Sequence, residues 1–373
     1  MSIYDIDSDF GFEIDFLPVG DADKSGDAIC LRWGYDLENR YGRKCQYVCI
    51  VDGGFVDTGD AIVSHLRNYY GTTHVNVVVN THPHRDHVGG LQKVIEQCSV
   101  DYLVMHRPWE HSGLADYFDD RRVTNLSIKR RLRENLAPVI QLVQSARKDG
   151  GVNVCEYFAP SIWKQLCGVN VFVLGPSQNY YHQLLPDFTS TPTAAEGRGE
   201  RVDFKNYEVP EQLCQLTNNG ETSAENNSSM ILAFQLPDGE IVLLTGDAGI
   251  PALMHAARVA EQQNLDLKRN IVFFQMPHHG SIQNLGPSVL DKILGNPTEA
   301  RRRGTIVSYA SVCKHPKVGH PAKHVTNALR ARNCQCFPTN GIIIHKSFGR
   351  VPNRPGWTSL TPIPYYPTVE ALA

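Results

Sequence analysis

Four side chains that bind metal ions well lie within six residues of one another, and this feature constrains the fold more than any other. They belong to the segment THPHRDHVGG at 81–90 and are His82, His84, Asp86 and His87. The segment follows Val75–Val79, a β-branched run typical of a buried strand. Alternate side chains of extended backbone share one side, so the two histidines of the HxH pair project together. Imidazole and carboxylate donors suit zinc, manganese or iron, and the sequence therefore predicts a metal site at a strand end.

The chain on both sides of this segment alternates between strand-like and helix-like stretches. Strands are predicted at 10–19, 28–33, 46–51, 75–79, 102–105, 169–174, 230–236, 240–245, 271–275, 305–309 and 341–346. Helices are predicted at 60–69, 88–97, 127–147, 251–262, 287–294 and 322–332. Two halves that each run from strands to helices fit a sandwich of two β-sheets covered by helices. We expect a single α/β domain over 1–373.

The middle of the chain breaks this alternation. Residues 127–147 have helical spacing and a basic polar face, and Pro138 should kink that helix or divide it in two. Residues 175–220 are rich in Pro, Thr, Asn, Gly and charge, which predicts a long loop or flap. We therefore expect 106–225 to be a helical and loop insertion within the domain.

Further metal-competent residues follow strands in the last third of the chain. Asp247 ends the segment LLTGD, and His278 and His279 begin HHGS, each directly after a predicted buried strand. His320 follows a later strand in a basic loop that carries Lys314 and Lys317. Taken singly, the aspartate could be a helix cap and the histidines surface residues. Their joint occurrence at the ends of successive strands favours one assembled metal site.

Composition excludes several other classes of protein. The chain has 373 residues and a formal net charge of −3, which excludes a wholesale basic nucleic-acid binder but not a local basic face. Its apolar runs are too short to span a bilayer, so no membrane association is expected. The acidic N-terminal stretch does not resemble a signal peptide, which predicts a cytoplasmic protein. We accordingly expect the 10 cysteines to be reduced thiols.

The motifs together resemble a known family. THPHRDHVGG resembles the signature of the metallo-β-lactamase superfamily, and the surrounding sequence is similar to the metallo-β-lactamase domain of ComEC-type DNA-uptake proteins. The matching segments, in order, are VGD…SGDAI at 19–29, VDGG at 51–54, NNSSMIL at 226–232, LLTGD, HHGS and GHP. The resemblance implies a four-layer αββα sandwich and a hydrolase with two divalent metal ions, zinc or manganese.

The resemblance also implies a role for each matching residue. His82 and His84 would hold the first metal, Asp86 and His87 the second, and Asp247 would bridge them. One of His278 and His279 would complete the second site, and we favour His279. Many superfamily members have a further first-metal histidine, but here His106, His111 and His182 lack a matching context. The Asn226–Asn227 region or a water stays open as its replacement, and Asn227 is a candidate substrate contact.

The expected mechanism follows from the pair of ions, which would activate a water and hold the oxygens of an in-line displacement. Asp86 would orient that water or accept its proton, and His278 and His320 are candidates for leaving-group protonation or phosphate contact. Ser281, which could also be a helix cap, and the two loop lysines Lys314 and Lys317 would favour an anionic substrate.

The sequence favours a phosphodiesterase or nuclease, acting on DNA rather than RNA. Its support is the ComEC-like pattern together with local basic clusters, which are Lys129–Arg131 with Arg133, Arg121–Arg122 and Arg301–Arg303. Two alternatives stay open. One is a small-molecule ester, lactone or phosphoester hydrolase with 178–220 as a lid. The other is an effector module gated by a regulatory protein partner, in defence against foreign DNA.

Overall fold

Two β-sheets lie face to face and carry helices on their outer faces. The computed structural model describes residues 9–20, 24–39, 45–117, 124–148, 151–188, 216–300, 304–316, 319–367 and 369. Within these ranges, fourteen strands form two seven-stranded sheets. A layer of buried apolar side chains from both sheets, including Phe12, Trp33 and Phe234, fills the space between them.

The first sheet has the strand order β14-β1-β2-β3-β4-β5-β6. Its strands are β1 (Phe10–Phe16), β2 (Ala28–Tyr35), β3 (Cys45–Gly53), β4 (His74–Val79), β5 (Ser99–Val104), β6 (Asn153–Cys155) and β14 (Ile344–Gly349). From β3 to β6 neighbouring strands are parallel. Their carboxyl ends therefore lie along one edge of the sandwich, which is where parallel sheets place their ligand sites.

The second sheet has the order β13-β12-β11-β10-β9-β8-β7. Its strands are β7 (Ser161–Leu166), β8 (Val169–Gly175), β9 (Ile231–Gln235), β10 (Ile241–Leu244), β11 (Ile271–Gln275), β12 (Ile306–Ala310) and β13 (Cys334–Pro338). The run from β10 to β13 is parallel. Both sheets thus have a parallel half joined to an antiparallel half.

Helices cover the outer faces. Those of the first half are α1 (Thr58–His65, continued by a π-helical turn at Leu66–Tyr70), α2 (Arg85–Val88), α3 (Leu91–Gln97), α4 (Asn125–Asn135), α5 (Ala137–Lys148), α6 (Gln178–Phe188) and α7 (Ala224–Asn227). Those of the second half are α8 (Ile250–Gln262), α9 (Leu267–Asn270), α10 (Pro287–Leu294), α11 (Pro297–Ala300) and α12 (Lys323–Ala331). Each outer face has its own buried apolar cluster. The predicted four-layer αββα sandwich is confirmed.

Several elements differ from the sequence-based expectation. Within the predicted flap, residues 178–188 form helix α6, and its buried residues Tyr181 and Leu185 pack into the apolar cluster on the outer face of the first sheet. Residues 189–215 of the flap lie outside the described residues. The basic helix is divided at Leu136 into α4 and α5, as Pro138 suggested. Strands β6, β7 and β13 were not predicted, and β14 begins three residues later than expected.

The prediction that every cysteine is a reduced thiol is wrong for one pair. Cys45, at the start of β3, forms a disulfide with Cys167 in the turn between β7 and β8, with a Cα–Cα distance of 5.8 Å. The partners are 122 residues apart in sequence, and only the folded chain brings them together. Among the described residues, no helix is long and apolar enough to cross a membrane.

Candidate metal centre

The predicted metal ligands converge at the carboxyl ends of strands from both sheets. The segment 80–84 follows β4, and α2 then carries Asp86 and His87 in its single turn. Asp247 comes three residues after β10 ends, and the two histidines of HHGS come shortly after β11. Two parallel halves with their carboxyl ends at the same edge therefore bring together residues that are far apart in sequence.

Asp247 lies at the middle of this group. Its Oδ2 atom is 3.4 Å from His87 Nε2, 3.7 Å from His278 Nε2 and 3.8 Å from His82 Nε2. The Nε2 atom of His82 is in turn 3.1 Å from His84 Nδ1. A carboxylate with imidazole nitrogens on several sides is placed where it could bridge two ions.

The donors fall into overlapping sets. In each set the ligand atoms lie within 4.8 Å of one another, and the relevant sets are His82–His84–Asp247, Asp86–His87–His279 and Asp247–His278–His279. The first two sets follow the division that the family resemblance implies, whereas a further set, Asp52–His82–His87, joins a histidine from each metal position. His279, and not His278, groups with Asp86 and His87. The structure thus brings all six predicted ligands into one centre.

Unpaired polar atoms show that this centre fits metal ions. His87 Nε2, Asp247 Oδ1 and His279 Nδ1 are buried and find no hydrogen-bond partner among the described residues. A buried polar atom without a partner costs about 1–3 kcal/mol, and a bound cation would remove that cost for all three. The donor set of nitrogen and carboxylate oxygen suits a transition-metal ion such as zinc or manganese.

Asp52 in β3 holds the signature segment in place. Its Oδ1 accepts the backbone N–H of Thr81 at 2.8 Å, and its Oδ2 accepts the Thr81 hydroxyl at 2.6 Å. The same Oδ2 is 2.8 Å from His87 Nδ1. Without a cation, burial alone would lower the pKa of His87, but Asp247 and Asp52 outweigh it and raise that pKa well above its ordinary value. With a cation bound, His87 would donate Nδ1–H to Asp52 and present the lone pair of Nε2, the arrangement usual for metal-binding histidines.

Two buried amides order the second half of the centre. Asn284 donates from Nδ2 to the carbonyl of Asp247 at 2.8 Å, while its Oδ1 lies 3.0 Å from His278 Nδ1. Gln275 accepts the backbone N–H of Thr245 at 2.8 Å and donates to Asp27 Oδ2 at 2.7 Å. Each amide therefore ties the loop that carries Asp247 to a neighbouring segment of the centre.

Asp27, which precedes β2, lies beneath the second set of donors. Its carboxylate oxygens are 4.0 Å from both His87 Nδ1 and His279 Nδ1. Burial raises the pKa of Asp27 to about 7, against the opposing effect of the His87 charge. No role was predicted from the sequence for Asp27, Asp52, Gln275 or Asn284, although the two aspartates belong to segments that carry the family resemblance.

Burial and neighbouring charges act in opposite directions on the other ligands. Burial alone would raise the pKa of Asp247, but His87 and His278 outweigh it and hold that pKa well below its ordinary value. Burial lowers the pKa of His279 to about 4 and that of His82 well below its usual value. Both rings are therefore neutral near pH 7, which is the form that binds metal.

The turn after β11 has backbone dihedral angles that residues other than glycine rarely adopt. His278 has φ 48° and ψ 52°, His279 has φ 60° and ψ 17°, and Gly280 has φ 83°. Consecutive left-handed residues other than glycine cost free energy and usually persist only at functional sites. Here the turn directs two adjacent rings into one centre.

The other predicted site residues have more varied positions. His320 is partly buried, and its pKa is lowered first by burial and then by the nearby His278. The Ser281 hydroxyl accepts the backbone N–H of Gln283 at 3.2 Å within a turn, and the next helix begins only at Pro287. Asn227 Nδ2 donates to the Thr222 carbonyl at 3.4 Å. Lys314 is exposed, and Lys317 lies outside the described residues.

The three histidines without a matching context do not join the centre. His111 lies between Glu156 and His182, with its Nε2 2.9 Å from the carboxylate and its Nδ1 2.9 Å from His182 Nε2. His106 Nε2 is 3.1 Å from the Tyr157 carbonyl. Asn226 lies closer to the centre, with Nδ2 3.5 Å from His278 Nδ1 and a buried Oδ1 that has no partner among the described residues.

One family model matches part of the chain. The sequence model of the Metallo-beta-lactamase superfamily matches residues 45–152, the stretch that contains the HxHxDH segment. A search of curated proteins found no match.

Solved structures give similarities at low identity. Zn²⁺-bound PqqB from Methylobacterium extorquens is 12% identical, with a TM-score of 0.42 over 89% of this chain and 99% of that one. A metallo-β-lactamase from Hirschia baltica is 11% identical, with a TM-score of 0.29 over 75% and 96%. A long-form RNase Z from yeast is 10% identical, with a TM-score of 0.35 over 80% of this chain and 36% of that protein. Similarities at this level leave the substrate to be argued from the chain's own residues.

Proposed function

We propose that this chain is a metal-dependent phosphodiesterase that acts as a nuclease, on DNA rather than RNA. The observation that carries the proposal is the cluster of six predicted nitrogen and oxygen ligands, Asp247 among them, which both sheets supply and which partly lack other partners. Two divalent ions there, zinc or manganese, would supply the Lewis acidity that activates water and neutralises charge on phosphate oxygens.

The chain's own residues divide into buried donors and groups open to substrate. The side chains of His82, His87 and Asp247 are at most 2% exposed, whereas those of Asp86 and His278 are 27% and 34% exposed. Asp86 is therefore placed to accept a proton from the attacking water. His278, with His320 beside it, is placed to protonate a leaving oxygen or to donate to a phosphate.

Nucleic acid as the substrate is supported by local charge and by the ComEC-like motifs. Helix α4 carries Lys129, Arg130, Arg131 and Arg133, and it leads at Leu136 into a small cavity that His82 and Pro83 also line. A basic helix next to a phosphodiester-cleaving centre would follow the nucleic-acid backbone. On this proposal a regulatory protein partner would restrain the enzyme.

The decisive experiment is cleavage of end-labelled single- and double-stranded DNA and RNA by the purified chain, with Mn²⁺, Zn²⁺ or a chelator. We expect metal-dependent cutting, stronger on DNA, that is lost in the Asp86→Ala/His87→Ala variant. An intact substrate under every condition, with a protein that still binds about two ions, would reject the nuclease assignment. A protein that binds no metal would reject the centre itself.

A small-molecule ester, lactone or phosphoester hydrolase is the second candidate, and one observation favours it. An apolar groove of about 740 Å³ opens beside α2, within the usual size range of small-ligand sites. Steady-state hydrolysis of a lactone series and of bis(p-nitrophenyl) phosphate, measured beside the nucleic acids, separates the candidates. A kcat/KM for a small ester that far exceeds that for oligonucleotides would favour this one.

A further inference from the structure

The apolar groove beside α2 has no role in the centre described above. Its floor is the outer face of α2, and its walls are the loop after β3 and the helix α5. We call it the α2 groove; its apolar lining is Phe55, Val56, Val88, Gly89, Pro138 and Leu142. The side chain of Val56 is 66% exposed at its rim, so part of this apolar surface faces solvent.

The α2 groove is joined to the metal centre by a single short helix. Arg85 lines the groove and stands between His84 and Asp86 in the sequence. On one helical turn Arg85 and Val88 share the groove face, whereas His87 points away from it into the centre. The groove therefore lies against the helix that carries Asp86 and His87, two of the predicted ligands.

The charged side chains that line the groove differ in whether they have an ion-pair or hydrogen-bond partner. Lys93 Nζ is 3.9 Å from Asp60 Oδ2, and Asp60 Oδ1 also accepts Gln97 Nε2 at 2.8 Å. Asp57, at the start of α1, is an exposed carboxylate on the far wall. The Arg85 guanidinium is exposed and has no hydrogen-bond or ion-pair partner within the described ranges. Among the cations that line the groove, Arg85 is therefore the one available to bind an anion, and it lies at the end of the groove next to His84 and Asp86.

We infer that the α2 groove holds the nucleotide that flanks the scissile phosphodiester, with its phosphate at Arg85 and its base against Val56 and Leu142. This inference rests on the proposed nuclease activity and names where that activity binds its strand. The 740 Å³ volume accommodates a nucleoside. The apolar walls suit a base, which packs against apolar surface whatever its sequence, and the cation supplies the charge complement to the phosphate.

The test is oligonucleotide binding and cleavage by the Arg85→Gln and Val56→Ser variants of the full chain. Arg269→Gln is the matched control, because Arg269 is an exposed arginine in α9, before β11 begins, at the opposite end of that strand from the centre. Fluorescence anisotropy with a fluorescein-labelled phosphorothioate DNA in chelator measures binding without metal. Hydrolysis of the same sequence as unmodified DNA and of bis(p-nitrophenyl) phosphate measures catalysis.

We expect Arg85→Gln to weaken DNA binding about tenfold and to lower kcat/KM for DNA by more than for the small diester, which has no flanking nucleotide. Val56→Ser should lower DNA binding less, and only when the flanking nucleotide carries a base instead of an abasic sugar. Equal losses on DNA and the small diester, or an effect of Arg85→Gln no larger than that of Arg269→Gln, would overturn the inference. A wild type that cleaves small diesters but neither binds nor cuts DNA would instead reject the nuclease proposal beneath it.

Discussion

At the scale of single residues, the centre depends on carboxylates that do not face the substrate. Asp52 fixes the backbone and hydroxyl of Thr81 and, through His87 Nδ1, the ring that faces Asp247. A carboxylate behind a metal-binding imidazole sets which nitrogen carries the proton and raises the basicity of the other. We therefore expect the metal affinity of the centre to depend partly on Asp52, which contacts a predicted ligand without being one.

Replacing Asp52 by asparagine should weaken metal binding about 10- to 100-fold. The substitution keeps the shape but presents an amide where His87 Nδ1–H and the Thr81 hydroxyl need an acceptor. Competition with a chromophoric chelator measures the affinity, and Asp60→Asn, an exposed carboxylate outside the centre, is the control. Unchanged affinity in Asp52→Asn, with the fold intact by circular dichroism, would contradict this role.

The predicted ligands could be identified from the sequence because each combines a metal-binding side chain with a position just after a predicted strand. HxHxDH after a β-branched run, and Asp247 and HHGS after buried strands, each show a donor type and a strand end together. The roles of Gln275 and Asn284 could not be predicted in this way. Their amides act through hydrogen bonds between loops that are distant in sequence, and neither residue type signals such a partner by itself.

A second buried carboxylate, Asp15, gives stability its pH dependence. It accepts hydrogen bonds from Tyr70 at 2.7 Å and from Arg354 at 2.6 and 2.8 Å, and it lies beside His65 and His345. Burial alone would raise its pKa, but His345, His65 and Arg354 together hold the pKa of Asp15 well below its ordinary value. The folded state therefore keeps this carboxylate ionised in acid where the unfolded chain takes up a proton.

Because the folded pKa is depressed, the stabilising contribution of Asp15 is present above about pH 4 and is lost as the pH falls below it. Asp15→Asn should be less stable than the wild type near pH 7, and its stability should fall less steeply between pH 5 and pH 3. Urea unfolding across this range measures both, with the exposed Asp116→Asn as control. Parallel pH profiles for Asp15→Asn and the wild type would refute the assignment.

At the scale of elements, helices α4 and α5 connect the basic surface to the centre. Arg130 has a weak ion pair with Glu134 at 3.8 Å, and its side chain is 78% exposed. Arg133 is exposed as well, while Leu136 and Val139 beyond it reach the cavity that His82 lines. A helix anchored at its carboxyl end beside the metals and charged along its exposed side suits backbone binding.

Removing two of these charges with Lys129→Gln/Arg133→Gln should reduce the salt dependence of single-stranded DNA binding. Each lost phosphate contact removes about 0.7 from the slope of log K against log salt, so we expect a decrease of about 1.4. Anisotropy titrations at several salt concentrations measure the slope. The Lys268→Gln/Arg269→Gln variant in α9, which removes the same charge far from the centre, should leave it unchanged; equal slopes in both variants would exclude α4 from the interface.

The elements that the sequence failed to predict share a physical cause. Strand β7 contains exposed Lys164 and Gln165 with an irregular register against β8, so it lacks the alternation by which a strand is recognised. Helix α6 contains Pro186 and follows a Gly-Pro pair, features that favour a loop. Its helical state depends on the packing of Tyr181 and Leu185 into the apolar cluster on the outer face of the first sheet. Such tertiary contacts cannot be recognised from the local sequence. The apolar runs of β4 and β11 in the parallel halves needed no such support, whereas the short β6 and β13 of the same halves, like β7, were missed.

At the scale of the whole molecule, a covalent link joins the two sheets. Cys45 begins β3 of the first sheet and Cys167 lies at the β7–β8 turn of the second. Trp33 Nε1 donates to the Leu166 carbonyl at 2.6 Å and supports the same turn. Asp52 is seven residues along β3 from Cys45, about 23 Å at strand rise, so this link lies at the end of the sandwich opposite the metals.

Breaking this link should change stability without changing the metal centre. A disulfide that closes a long loop stabilises a protein by about 2–4 kcal/mol, and here the loop spans 122 residues. Cys167→Ser should therefore lower the free energy of unfolding by about that amount, and the half-buried Cys98→Ser by much less. Dithiothreitol should lower the urea midpoint of the wild type to that of Cys167→Ser and leave the variant unmoved, while metal stoichiometry stays the same in both. A wild type whose midpoint does not change with reductant would mean that the two thiols are not linked in solution, and the sheets would then be held together by noncovalent contacts alone.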